Sequence, residues 1–300
     1  MIKEINNILW LNVTLEDKDL PLYFSDYAKK FWFNVYKIEK DFILTILLID
    51  FSRNNSELIF KWWTCLNKVY YNYYRLSEDL DFYIINDGGV KIRWHKLDEY
   101  KYLFQTDKYK KLWLTYINKP NGTKHHKNHQ WCYSFTYKSC LDNSDQNIKI
   151  DIRIEKESIY KPQKKEILSI FEDSLWLESL FQWYSINVMD IEEIASEKVR
   201  ASLTRQKPAI RDLFDIRYMK EHGIDFKNLS DTIAWKISEY KETLKEWERL
   251  YTIDDVSIDD LKLSVENDLI PVLWEVEKRD YNFEKFNLED ILSFVKQFQK

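Results

Sequence analysis

The stretch "KWWTCLNKVYYNYYRLSEDLDF", residues 61–82, decides how the chain is read. Near its end Asp79 and Asp81 flank Leu80 and lead into Phe82-Tyr83-Ile84-Ile85, so a strand is predicted over 80–85. Residues two apart on a strand point to the same side, which projects Asp79 and Asp81 together and buries Leu80 on the other face. Two neighbouring carboxylates repel unless a cation lies between them. Mg²⁺ takes oxygen ligands and commonly joins one or two carboxylates to substrate phosphates. In a chain with 32% charged residues such a pair also arises by chance, and alone it reads as a solvated strand end.

Working outward, Thr64 to Tyr74 has helical spacing, with Leu66, Val69, Tyr70 and Tyr73 near one face, and Leu58-Ile59-Phe60 is a short strand candidate. Upstream, residues 18–53 suggest two helices, the second with Asp41 as N-cap before the apolar run FILTILLIDF. Downstream, Asp87-Gly88-Gly89 marks a turn, and 98–118 reads as a charged, aromatic helix stopped by Pro120-Asn121-Gly122. Residues 130–139 and 147–155 look like a β-pair. In the second, Ile148, Ile150, Ile152 and Ile154 take one face, while Lys149, Asp151, Arg153 and Glu155 take the other. Asp151 on that polar face is the candidate third acid. After Pro162 the pattern is helical only, with candidates at 164–183, 190–205, 208–221, 230–250, 257–268 and 287–299, and Pro208 suits the first turn of its helix. The expected organisation is an α/β domain over 1–160 and a helical domain over 161–300 that contributes to an active-site cleft.

Composition narrows the classes. With 4 Gly and 5 Pro in 300 residues a turn-rich all-β fold is disfavoured. A net charge of −5 excludes a global basic field for nucleic acid, though a local patch is compatible with 45 basic residues. Cys65, Cys132 and Cys140 form no CxxC and no even framework, so reduced thiols and a cytoplasmic location are expected. The N-terminal MIKEINNILWLNV is a poor signal peptide. FILTILLIDF has about half the length of a membrane span and reads as a buried helix, so no membrane partner is expected.

The opening stretch resembles the signature of the AbiEii/AbiGii-type nucleotidyltransferase toxins, within the DNA polymerase β-like superfamily. That pattern runs Lys-Gly-Gly-Thr, an apolar helix with Lys-x-Tyr, then Arg-x-Ser-Glu-Asp-x-Asp. Lys61, Thr64, Leu66, Lys68, Tyr70, Arg75, Ser77, Glu78, Asp79, Asp81 and Phe82 match it. A second block, "IEEIASEKVRASLTRQKPAIRDLFDI" at 191–216, is similar to the family's later motifs through Glu197, Lys198, Arg200, Ala201, Arg205, Arg211, Asp212 and Asp215. The resemblance spans roughly residues 55–220; the chain beyond it matches only as a helical region.

The resemblance implies an α+β fold: a polymerase β-like domain with a small mixed sheet, then an all-helical C-terminal domain. It implies NMP transfer from an NTP to an acceptor, RNA and in particular the tRNA 3′ end, by the toxin of a toxin–antitoxin or phage-defence system with a cognate antitoxin. Asp79, Asp81 and Asp151 would hold Mg²⁺, with Asp151 alternatively taking the acceptor's proton. Lys198 would contact the triphosphate. Asp212 would contact the base or order Lys198. Thr64, Lys61, Ser77, Arg75, Arg205 and Asp215 would line the nucleotide. Without the resemblance, the second block is a salt-bridged helix pair. A phosphate on Ser77 would place negative charge beside the acids and block NTP binding.

The departure is Trp62-Trp63 in place of Gly-Gly. Glycine permits positive φ and close backbone approach to phosphate, whereas tryptophan resists positive φ and adds bulk. Either the indoles turn inward and leave the backbone to the phosphates, or the phosphate site is altered and the chain is an impaired binding module. Transfer to a protein or small molecule is a further alternative. Lys119, Lys124, Lys127, His125, His126 and His129 form an exposed loop segment suited to RNA phosphate contacts, followed by Trp131; its plain reading is a solvated loop, and no acid or cysteine nearby completes a histidine metal site.

Overall fold

The structure, a computed structural model, describes residues 2–9, 15–117, 130–171, 184–205, 208–243, 257–273 and 287–299. The chain divides into two compact units, Met1–Met189 and Asp190–Lys300.

In the first unit α1 (Ile2–Leu9), α2 (Leu20–Phe31) and α3 (Val35–Asn54) precede the sheet. The helix α3 is its central element, buried without interruption from Asp41 to Phe51. Asn34, not Asp41, caps it: the Asn34 side chain accepts from the Tyr36 amide, which starts the helix two turns earlier than the sequence suggests. The acids embedded in this apolar helix each meet a partner elsewhere in the unit. Glu39 accepts from Ser139 Oγ and the Cys140 amide, both at 2.7 Å. Asp41 pairs with Lys68 at 2.8 Å, and Asp50 pairs with Lys108 and accepts from Tyr109. Buried charges persist only when so matched.

The strands are β1 (Ile59–Lys61), β2 (Asp79–Ile85), β3 (Thr115–Ile117), β4 (Gln130–Lys138), β5 (Asp145–Glu155), β6 (Gln163–Glu166) and β7 (Ser185–Val188). They form one mixed sheet in the order β3-β4-β5-β2-β1-β7-β6, with β2/β5 and β1/β7 parallel. Leu80, Phe82 and the isoleucines of β5 pack on one face, where Phe82 meets Phe51 edge-on. The other face is polar. Between β1 and β2 lie a short helix, α4 (Trp62–Cys65), and a π-turn over Leu66–Tyr70. After β2, α5 (Val90–Phe104) and α6 (Asp107–Lys111) replace the single helix expected over 98–118. Trp113, at positive φ, ends that segment, and Thr115–Ile117 joins the sheet against β4.

Two expectations about the boundary change. Residues 163–166 form a strand, and β7 pairs in parallel with β1, so the sheet holds the chain in the first unit through Met189 rather than 160. The Met189 amide and carbonyl are fixed by the Phe60 carbonyl and the Tyr70 hydroxyl.

The second unit is helical among its described residues: α7 (Ile191–Thr204), α8 (Ile210–Glu221), α9 (Ser230–Thr243), α10 (Ile258–Ser264) and α11 (Leu288–Lys296). Pro208 lies before Ala209, the N-cap of α8, and not in its first turn.

Candidate active site

Strand register builds the first cluster. Asp81 faces Asp151 across the parallel β2/β5 pair, Lys61 faces Asp81 from β1, and Cys132 faces Asp151 from β4. One row of polar side chains therefore crosses four strands, Lys61–Asp81–Asp151–Cys132, at roughly 5 Å per step. Asp79 lies two residues along β2, opposite Lys149. Gln130 Nε2 donates to Asp151 at 3.3 Å, and Lys61 Nζ lies 3.3 Å from Glu155 Oε1. The alternation of β5 carried this geometry. It put Lys149 on the polar face too; what it did not reveal is the pairing that sets Lys149 beside Asp79 and Cys132 beside Asp151.

Burial pushes the Asp79 carboxyl above its ordinary range; Lys149 opposes the rise, Glu78 adds to it, Lys40 opposes it and Asp151 adds. Glu78 behaves oppositely. Burial would raise it, but Lys37 Nζ at 2.6 Å and Lys40 Nζ at 3.0 Å prevail and hold it at about 2. Lys37 and Lys40, a turn apart on α3, thus clamp the residue next to Asp79, a pairing that nothing in the sequence announced. Burial pushes the Cys132 thiol up to about 12, with the charge of Asp151 adding, so it stays neutral beside the acids.

Among the described residues no group of three or more His, Cys, Asp or Glu is gathered tightly enough to hold a metal alone. The donor set fits a different case: oxygen ligands of Asp79 and Asp81 on one strand face, suited to a hard cation whose remaining ligands come from substrate phosphates. The carboxyls crowded around Asp79 give such a cation an electrostatic role.

At the turn from β1 to α4 the indoles do not turn into the core, and the backbone takes the conformation a glycine would. Trp62 adopts φ 62°, the left-handed conformation that glycine would supply, at a cost of about 1–2 kcal/mol for an L-residue. Both indoles are half-buried rather than turned into the core. Their rings stand nearly perpendicular, centroids 6.4 Å apart; Lys61 Nζ lies 4.8 Å over Trp62, and the buried Arg75 guanidinium 5.4 Å over Trp63. The matching residues around them build the frame. Thr64 is fully buried, and its hydroxyl is within bonding distance of Ser77 Oγ, at 2.7 Å, and of the Asp79 carbonyl. Arg75 and Ser77 are buried as well, and Lys68 is held by Asp41, Thr45 and Tyr73. Thr64 therefore fastens α4 directly to the strand that carries the acids.

The second unit holds another cluster. Asp190 caps α7, and Lys198 on that helix donates to Asp212 Oδ1 at 2.9 Å and to Asp215 Oδ2 at 2.8 Å. Arg205, just past the helix, donates to Asp212 Oδ2 at 2.6 Å. The spacing of Asp212 and Asp215 puts both on one face of α8. Lys198, Asp212 and Asp215 are all buried. Of the two roles expected for Asp212, the geometry displays the ordering of Lys198. Behind this pair Lys236 bridges Glu193 and Glu197, which also binds Arg200. The basic segment Lys119, Lys124, Lys127, His125, His126 and His129 lies outside the described residues.

The mixed sheet thus carries paired acids on one strand and a third on its parallel neighbour, and a helical unit follows in the chain. Residues 46–294 match the family described as nucleotidyl transferase AbiEii toxin, type IV TA system, and the chain belongs to that family. It is an AbiEii-type nucleotidyltransferase toxin of a type IV toxin–antitoxin system, which implies an antitoxin and a nucleotide substrate. Among solved structures, MenT4, a nucleotidyltransferase toxin of Mycobacterium tuberculosis H37Rv, shares the fold, with TM-score 0.54 at 14% identity over 92% of this chain and 99% of that one. JHP933 from Helicobacter pylori aligns with TM-score 0.48 at 15% identity over 89% and 94%. No curated protein matches. No described helix is long and apolar enough to cross a membrane.

Proposed function

We propose that this toxin works in the cytoplasm and transfers NMP from an NTP, with Mg²⁺, to a hydroxyl of RNA, the tRNA 3′ end being the acceptor. The observation that supports this best is the register that sets Asp81 beside Asp151 with Asp79 one step along the same face. Asp79 and Asp81 would hold the cation, which when bound draws the phosphates to this face and offsets charge on the departing pyrophosphate. Asp151 accepts the proton of the acceptor hydroxyl as its oxygen attacks the α-phosphorus. The new O–P bond forms, the bond from the α-phosphorus to the bridging oxygen breaks, and pyrophosphate leaves with those electrons. Lys61, on the same row, and Lys149 supply fixed positive charge. The resemblance gives Lys198 the triphosphate; Asp212 and Asp215 fix the position of its Nζ. The loop of Lys119, Lys124, Lys127, His125, His126 and His129 is the proposed RNA contact.

The test is incubation with each α-labelled NTP, Mg²⁺ and total RNA, with Asp79→Ala as control. Label on RNA with the wild type only is the expected result. Label on protein or on a small molecule would replace the acceptor, and no transfer to anything would remove the reading.

A further inference from the structure

We propose that Trp62 is a nucleobase-stacking platform of this site, an inference that rests on the nucleotidyl-transfer reading above. Among the described residues three tryptophans have left-handed backbone: Trp32, Trp62 and Trp113. Trp32 and Trp113 lie at the C-terminal ends of α2 and α6, where a left-handed residue is an ordinary way to stop a helix. Trp62 instead opens α4 directly after a strand, so helix termination does not account for it. A non-glycine residue persists in that conformation only where its surroundings over-determine it, and such residues gather at functional sites.

What holds Trp62 also presents it. It follows Lys61, the strand partner of Asp81, and so stands one residue from the row of acids. Lys61 Nζ lies over its ring, and the perpendicular ring of Trp63 is braced by Arg75. The indole is half-buried and fixed in position while a core role would bury it fully. A rigid, partly exposed aromatic next to a phosphate-handling face is what stacking of a base requires, because every base offers a π-face. A glycine at this position would supply the same backbone and no ring. The base can belong to the incoming NTP or to the terminal nucleotide of the acceptor.

The experiment compares wild type, Trp62→Gly and Trp62→Phe in equilibrium binding of three probes with Mg²⁺: an NTP, inorganic triphosphate, and a short oligoribonucleotide. Gly suits the backbone, so loss of the ring is isolated from misfolding, and circular dichroism confirms it. About a tenfold or larger loss for Trp62→Gly is expected on one base-bearing probe, with triphosphate unchanged and Trp62→Phe intermediate. Loss confined to the NTP assigns the incoming base; loss confined to the oligoribonucleotide assigns the acceptor base. Equal binding of all probes by all three proteins, or equal weakening of triphosphate, overturns the proposal while leaving the transfer reading intact. Failure of the wild type to bind any probe overturns both.

Discussion

The polar face of the sheet and the buried cluster of the helical unit carry the same kinds of residue and compensate them differently. In the helical unit the charges close on one another: Lys198 on Asp212 and Asp215, Arg205 on Asp212. On the sheet Asp79 is harder to ionise than an ordinary carboxyl, chiefly because it is buried; Lys149 and Lys40 oppose the rise, and Glu78 and Asp151 add to it. A cluster whose charges match is a frame. A cluster with carboxylates drawn together is where a bound cation has the most to contribute.

That contrast can be broken first at Lys198. Lys198→Met takes the ammonium from two buried aspartates, of which Asp212 keeps Arg205, and a loss of about 3–5 kcal/mol is expected in denaturant unfolding. A loss below about 1 kcal/mol would mean the cluster is not a frame. At the sheet the reverse pattern is expected. Asp79→Asn leaves unfolding stability at neutral pH unchanged or slightly higher, because a carboxyl raised in the folded state favours folding less as pH rises and it ionises. Its transfer activity is expected to fall about a hundredfold or more.

Smaller effects sharpen the same comparison. At Trp62 glycine is expected to be more stable than alanine by about 1 kcal/mol, since both lack the ring and only glycine accepts φ 62° freely; the reverse order would show that the backbone relaxes. Glu78 tests the clamp. Its pKa is depressed from 4.5 to about 2, so its contribution is present in full above about 4.5 and is lost as pH falls toward about 2. The stability gap between wild type and Glu78→Gln, about 1 kcal/mol at neutral pH for a partly exposed pair, is expected to shrink over that window. A gap that does not vary with pH would mean that Lys37 and Lys40 do not hold it.

Much of the site's frame was legible before the fold was known. The strict alternation of β5 and the Asp79–Asp81 pair fixed which residues share the polar face, because a period of two depends only on strand geometry. The second block yielded its helix pair for the same reason at helical period. What failed depended on tertiary pairing. Asp41 looks like a cap because it precedes an apolar run, yet it lies inside α3 and serves Lys68. Gln163–Glu166 has no apolar alternation and becomes a strand only because β7 offers it an edge. Trp62 violates the local preference of its own backbone, and no propensity could foresee that.

The most direct measurement is the shift in melting temperature on adding Mg²⁺ and NTP together to wild type, Asp79→Asn and Asp212→Asn. If the carboxylates of the sheet face bind the metal–nucleotide pair, wild type is stabilised by several degrees and Asp79→Asn is not. Asp212→Asn, less stable at the start, keeps a smaller ligand-dependent rise, because the cation's carboxylates remain while Lys198 is held less firmly. An equal rise in wild type and Asp79→Asn would contradict the assignment of this face as the site of nucleotidyl transfer.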